Sequence, residues 1–370
     1  MVVPVPGGIA KDLVGRLRSI GAFLSGASPS NASYFRHRMQ APAITVLITL
    51  YNKGPFVEEA VGSVLAQTFT DFELLVVDDG STDDGPRRIS ALNDPRIRLL
   101  LSERNTGRPA AANRGYDAAQ GKYIAVMDAD DLMHPERLAK HHTFLEAHPE
   151  VGAVGSQLPA FGGDSRTYAT PSDDAACRAI MLFGMPVTYG ATTFRRSVIE
   201  AYHLRCDVDW RLPGMDYLFV LKVGAHAAYA NLQEPLTRYR VGEQNMRHGR
   251  DPVPDALALY TEVLARHGLP HDADSVRAHL LLQGTFGLQG DPALVMRTAA
   301  WMDILSSWNL RNDHCPAPVF EAELAKRWER LYHALVDRSL PAALMHAQCT
   351  PGMRWRHTVH ALRRGLLRHS

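Results

Sequence analysis

The chain has 370 residues, enough for two or three domains or one large domain with additions. Its hydrophobic fraction of 46% and charged fraction of 21% are ordinary for a globular protein and exclude a disordered or fibrous chain. A formal net charge of +1 gives no electrostatic case for nucleic acid, and four scattered cysteines without a C-x-x-C pair argue against a zinc or disulfide framework.

Residues 1–40 read as an extension. Ile9, Leu13, Leu17, Ile20 and Leu24 recur at helical spacing, and a Ser/Asn/Pro-rich stretch separates them from the rest of the chain. The stripe is expected to pack on the protein's own surface, with a membrane-surface helix as the alternative. The first residues show no convincing signal-peptide apolar region. No run of about 18 uninterrupted apolar residues occurs, so no spanning helix is expected.

Regular structure begins near residue 43. Ile44 to Leu50 is a β-branched, apolar run that predicts a buried strand. Tyr51-Asn52-Lys53-Gly54 forms a turn, and Pro55 opens a helix with Val57, Ala60, Val61 and Val64 on one face. Strands are predicted over Phe72–Val77, Ile97–Leu101, Tyr123–Met127 and Val151–Ser156. Helices are predicted over Pro109–Ala119 and Leu138–Ala147. Alternation of this kind gives an α/β fold with a mostly parallel sheet covered on both faces. After about residue 250 strand-like runs stop. Ala256–His267, Ser275–Leu282, Pro292–Leu305 and Ala322–Val336 have helical spacing. The expected division is an extension over 1–40, a catalytic α/β domain over 41–250 and a mostly helical region over 251–370. The last residues are basic: Arg354, Arg356, Arg363, Arg364 and Arg368 interleave with Trp355 and leucines, which suits either an anionic membrane surface or a solvated helix.

Two predicted strands end in acidic clusters. The first gives Asp78-Asp79-Gly80-Ser81, where a carboxylate can accept hydrogen bonds from a base or ribose, or simply cap a turn. The second gives Asp128-Ala129-Asp130-Asp131. Carboxylates this close repel one another, and a hard divalent cation that also favours phosphate oxygens would stabilise them. An N-capping cluster before Pro135 is the other reading.

These motifs, with Thr49-Leu50-Tyr51-Asn52 before them and Asn105-x-Gly107 followed by Ala111-x-Asn113-x-Gly115 between them, occur in the order seen in one family. The chain resembles a family 2 glycosyltransferase of the GT-A type over about residues 43–245. The resemblance implies a GT-A, Rossmann-like sheet flanked by helices. It also implies an inverting transfer from a nucleotide-diphosphate-sugar donor, a UDP-sugar being favoured. Leu50, Tyr51 and Asn52 would lie against the nucleoside, and Asp78 or Asp79, with Asp79 favoured, would hold base and ribose. Arg108 would approach the diphosphate, a solvated surface arginine being the plainer reading; Asn113 belongs to the same donor segment, with a helix cap or brace as its plainer reading. Asp130 would bind Mg²⁺ or Mn²⁺, with Asp128 on the ribose or in the metal shell. The family's general base falls on Asp216, with a structural cap as the plainer reading, although the acid usually found before it is Met215 here. The Thr188–Arg196 segment resembles the acceptor-side lining, with an edge strand as the plainer reading. Tyr239-Arg240 resembles the element that closes the catalytic domain. A histidine that often follows it is replaced by Val241-Gly242-Glu243-Gln244, leaving His248 as a weak substitute.

The implied setting is cell-surface polysaccharide or glycoconjugate synthesis on a glycan or lipid-linked acceptor. The expected location is the cytoplasm, with peripheral contact at the inner face of the plasma membrane. A nucleotidyltransferase and a non-catalytic nucleotide-sugar binder are the competing readings. The first lacks a Gly-rich, basic loop after the first strand, and the second draws on Met215.

Overall fold

The computed structural model describes residues 41–350 apart from 244, 246–248, 250 and 284–289. The stripe in residues 1–40, His248 and the basic tail from 351 lie outside the described residues.

The first half alternates strands and helices: β1 (Ile44–Leu50), α1 (Gly54–Leu65), β2 (Phe72–Asp78), α2 (Gly85–Ala91), β3 (Ile97–Leu100), α3 (Arg108–Ala118) and β4 (Tyr123–Asp128). Next come β5 (Leu132–Met133), α4 (Arg137–Ala147), β6 (Val151–Ser156), β7 (Leu158–Gly162), β8 (Thr167–Tyr168) and α5 (Asp174–Ile180). A 3₁₀ turn at Tyr189–Ala191 leads into β9 (Thr193–Arg195) and α6 (Arg196–Ala201). The half closes with α7 (Met215–Gly224), β10 (Ala228–Leu232) and β11 (Thr237–Val241). Five helices complete the described chain: α8 (Pro252–Arg266), α9 (Ala273–Leu281), α10 (Pro292–Asn312), α11 (Ala317–Val336) and α12 (Leu340–Cys349).

A seven-stranded sheet runs β10-β6-β9-β4-β1-β2-β3. All neighbours are parallel except those of β9, which runs antiparallel to both β6 and β4. The register between β1 and β2 is unbroken from Ile44–Phe72 to Leu50–Asp78, so both strands finish at one level. A smaller sheet, β5-β11-β7-β8, stands beside it. The plainer expectation for Thr188–Arg196 needs correction. Its strand is interior, wedged between β6 and β4, and not an edge.

Successive side chains of β1 point to opposite faces. Val46 and Ile48 enter one core with Val57, Val61 and Val64 of α1, while Leu47 enters the other. Burial on both faces explains why these strands read as continuous apolar runs. The second core does not stop at residue 250. Leu47, Val126 and Phe219 share it with Leu259 of α8, Leu280 of α9, Leu305 of α10 and Leu331 of α11. Polar ties cross the same boundary: Tyr260 Oη donates to the Phe183 carbonyl at 2.7 Å, and His279 Nε2 meets the Leu182 carbonyl at 2.8 Å. The change of composition near residue 250 is therefore not a change of packing. Among the described residues, no helix is long and apolar enough to cross a membrane.

Candidate active site

Parallel strands that end at one level leave a crevice beyond their carboxyl ends, where open α/β sheets bind ligands. Here it is a cavity of about 750 Å³. Leu50, Tyr51, Asn52 and Lys53 line it beyond β1, Asp79 beyond β2, and Asp128 to Asp131 at the end of β4. Arg108 enters from α3, Tyr189 and Gly190 from the 3₁₀ turn, and Met215 and Asp216 from α7.

The loops on the β1–β2 side are cross-tied. Asn52 takes a left-handed conformation (φ 51°), which asparagine tolerates better than most residues. Its Oδ1 accepts from the Thr82 amide at 2.8 Å, and its own amide donates to Ser81 Oγ at 3.0 Å. Asp79 accepts from the Thr106 and Gly107 amides, both at 2.8 Å, and from Thr106 Oγ1 at 2.7 Å. It therefore fixes the Asn105–Gly107 loop as well as lining the cavity.

Two donor assignments fail on geometry. Asp78 does not line the cavity: it is the last residue of β2, and its buried carboxylate folds back to accept from the Gly80 and Ser81 amides. Asn113 is a brace. Its Nδ2 donates to the Cys206 carbonyl at 2.9 Å, and its Oδ1 accepts from the Cys206 amide at 2.7 Å. This reciprocal pair ties α3 to the loop leading to α7.

Each carboxylate of the Asp128-x-Asp130 pair meets a cation. Arg108 Nη2 lies 2.5 Å from Asp128 Oδ1, and Lys53 Nζ lies 2.7 Å from Asp130 Oδ2. Burial pushes the Asp128 carboxyl above its ordinary range, and Arg108 opposes that shift. Burial pushes Asp131 well up too; its Oδ1 accepts from the Arg240 amide at 2.9 Å. Behind the acids, the buried side chain of Arg137 donates to the carbonyls of Val126, Thr192 and Gly190. Desolvation lowers its pKa to about 9.

Sequence reasoning overlooked Lys53 and Arg137 in these roles. Lys53 directly follows the Tyr51-Asn52 motif, but its partner is 77 positions away; Arg137 looked like any polar residue at a helix start.

Asp216 is half-buried in the first turn of α7 and opens on the cavity. The turn before it requires glycine. Gly214 has φ +113°, and a Cβ there would lie 2.7 Å from Leu259 of α8. The helical region thus presses on the segment that presents Asp216. Met215, in the place of the missing acid, is buried and lines the cavity. Beyond β4 the wall changes character. Leu158, Met185, Leu212, Tyr168 and Tyr239 line it, and the last two rings meet edge-on at 5.9 Å.

Residues 45–202 match the model of glycosyl transferase family 2. The chain carries a family 2 glycosyltransferase domain. Over 196 residues it is 41% identical to the succinoglycan biosynthesis protein ExoO of Rhizobium meliloti, a match that takes in 49% of this chain and 55% of the relative. Over 214 residues it is 29% identical to an uncharacterized glycosyltransferase of Haemophilus influenzae, covering 54% of this chain and 66% of that one. The chain thus spans roughly half to two-thirds of the length of these relatives. The fold is similar to S. aureus TarS 1–349 in complex with UDP-GlcNAc, with a TM-score of 0.55 at 17% identity. That likeness covers 86% of this chain and 89% of TarS 1–349, so it reaches into the helical region. The family 2 domain has the expected GT-A architecture.

Proposed function

We propose that the chain transfers a sugar, with inversion, from a nucleotide-diphosphate-sugar donor to a hydroxyl of a glycan or lipid-linked acceptor. One observation carries this reading. Asp79, Arg108, Asp128, Asp130 and Asp216, drawn from separate segments of the chain, open on a single cavity at the ends of β2, β1 and β4. Its size suits a nucleotide-sugar. A UDP-sugar is the favoured donor, in keeping with the ligand of TarS. The kinship with ExoO supports cell-surface polysaccharide synthesis as the setting, on the cytoplasmic side of the membrane.

The donor set suits a hard divalent cation, Mg²⁺ or Mn²⁺. Asp128 and Asp130 offer only carboxylate oxygens, and both already draw a cationic partner in this structure. Among the described residues no three His, Cys, Asp or Glu side chains form a ready-made cage. Asp130, with Asp128 beside it, would hold the cation, and phosphate oxygens would complete its shell. When bound, such a cation supplies Lewis acidity to the departing diphosphate.

Tyr51 and Asn52 flank the nucleoside, and Arg108 faces the diphosphate. The acceptor lies against the apolar and aromatic wall beyond β4. Its hydroxyl oxygen bonds to the anomeric carbon from the face opposite the diphosphate, whose bond to that carbon breaks. The Asp216 carboxylate takes the hydroxyl proton.

The reading is tested by a thermal-shift panel of nucleoside diphosphates and nucleotide-sugars, each with and without Mn²⁺. A ligand that binds only the folded chain raises the melting temperature. The expected result is a shift that requires one nucleotide and the metal together. No shift with any donor overturns the proposal. A shift without sugar turnover identifies a non-catalytic binder.

A further inference from the structure

The small sheet beside the acidic motif carries two tyrosines on its cavity side that donor binding does not use. We propose that Tyr168 and Tyr239 form the seat for a terminal sugar ring of the acceptor, so that the acceptor is recognised by its saccharide whatever carries it. The inference rests on the transferase reading above.

Strand register puts both rings on one face. Leu158 of β7 is opposite Tyr168 of β8, and Ala160 is opposite Tyr239 of β11. Leu158 and Ala160 are next-but-one neighbours on β7, so they and their partners share a face. Leu158, Tyr168 and Tyr239 all line the cavity. The other face is cationic. Phe161 is opposite Arg240 there, and the Arg238 and Arg240 guanidiniums lie 4.6 and 4.4 Å from the centre of its ring. Tyr239 is held against the acidic motif through its neighbour: Arg240 donates its amide to Asp131 at 2.9 Å and its Nε–H to the Asp130 carbonyl at 2.8 Å. Tyr168 stands farther out, 39% exposed, with the Arg166 guanidinium 5.8 Å from its ring centre. The planes of the two tyrosines are 84° apart, which makes a corner.

A corner of this kind suits a pyranose. Such a ring presents C–H bonds on its faces, which favour the negative face of an aromatic ring, and hydroxyls around its rim. Among the described residues Tyr239 Oη has no hydrogen-bond partner, so a sugar hydroxyl can pair with it. An alkyl chain lying over Tyr239 would bury that hydroxyl unpaired, which is costly. The rings and Leu158 bring no charge to this face, so nothing on it calls for a phosphate. Asp216 opens on the same cavity and can serve a hydroxyl of the seated ring.

The test reads binding, not turnover, by saturation-transfer NMR on the full chain with saturating UDP and Mg²⁺. The probes are the methyl β-D-glycosides of glucose, galactose and mannose, with octyl β-D-glucopyranoside, below its micelle concentration, to separate ring from chain. Wild type should transfer saturation to the ring protons of at least one methyl glycoside. Tyr168→Leu keeps apolar bulk but loses the flat ring, and should weaken that glycoside about tenfold. Tyr168→Phe should stay within about twofold of wild type. Tyr239→Phe loses only the hydroxyl and should weaken it about three- to tenfold. UDP affinity should stay within about twofold in all three variants. Tyr168 lies on an exposed strand of two residues, so its replacement should leave the melting temperature in place.

In the octyl glucoside the ring protons should carry the transfer, the chain protons joining them only if the natural carrier is a lipid. Transfer confined to the chain overturns the inference and makes the wall a lipid seat. Unchanged glycoside affinity in Tyr168→Leu overturns it too. So does an absence of transfer to every glycoside while UDP binds, an outcome that leaves the donor site standing. If wild type does not bind UDP, the transferase reading itself falls and takes the inference with it.

Discussion

Arg108 Nη2 and Asp128 Oδ1 are 2.5 Å apart, which joins the first residue of α3 to the last of β4. The pair spans the cavity floor between the donor loop and the acidic motif. Burial raises the Asp128 pKa, and the guanidinium is the largest influence lowering it. Arg108→Met should strand that carboxylate. The expected cost is about 1–3 kcal/mol of stability, together with a clear loss of UDP affinity. Urea denaturation and isothermal titration check the two effects separately. An undiminished UDP affinity would remove Arg108 from the donor site.

Asp216→Asn keeps an oxygen that can accept from the Tyr217 amide, a contact of 2.9 Å in the wild-type chain. The fold and the donor site should therefore persist. Turnover should fall by about 10²–10⁴-fold, because the proton acceptor is lost. UDP affinity should stay within about twofold, since only the transition state needs the base. Nucleotide-release kinetics with a productive donor and acceptor, beside calorimetric titration of UDP, provide the check. Wild-type turnover would move the base elsewhere.

Gly190 places its α-carbon against the acidic motif. A Cβ there would lie 3.1 Å from Asp128 Oδ2 and 3.2 Å from its Cγ. Gly190→Ala should push the carboxylate aside by a few tenths of an ångström and disturb its bond to Arg108. We expect a loss of about tenfold in kcat/KM with little change in melting temperature. A large fall in melting temperature would instead make Gly190 a packing residue.

How much of this was legible in the sequence varies by element. β1, β2, β4 and β6 were, because strands buried on both faces leave unbroken apolar runs. α1 and α3 were, because a proline stands at the start of each. β9 was legible only as an edge strand: three residues carry no period, and its antiparallel place between β6 and β4 is set by tertiary packing. β5 and β8, of two residues each, were lost for the same reason. In the site, the acidic cluster after β4 and the family resemblance together pointed to Asp128, Asp130 and Asp216, and all three line one cavity. Neither separated Asp79 from Asp78, because that depends on which way each carboxylate turns after β2. The brace reading of Asn113 is the one the structure favours, but its partner, Cys206, could not be named because it is 93 positions away.

Four histidines predict how stability falls with acid. Burial lowers the pKa of His279 to about 3 and of His314 to about 4, and it also lowers His141 and His267. His279 is held neutral: its Nε2–H donates to the Leu182 carbonyl, and its Nδ1 accepts from Trp301 Nε1 at 3.2 Å. Below the ordinary histidine pKa the unfolded chain binds protons that the native state refuses. Stability is therefore full above about pH 6.5 and lost as pH falls toward the lowered values. Between about pH 6.5 and pH 5 the loss should be roughly 2 kcal/mol for each of His279 and His314. Urea denaturation across that range checks it. A flat profile would mean that these rings take up protons without unfolding.

The core shared by the sheet and the five C-terminal helices also governs the order in which a growing chain can fold. Synthesis runs from the amino end, and β1, β2 and β4 leave the ribosome long before Leu305 and Leu331 exist to cover their second face. The sheet must also wait for β10, which closes on β6 only after α7 has been made. An apolar face without its cover adheres to other chains. Nascent molecules therefore pass through a stage that calls for chaperone protection, and it ends only when the last helices arrive.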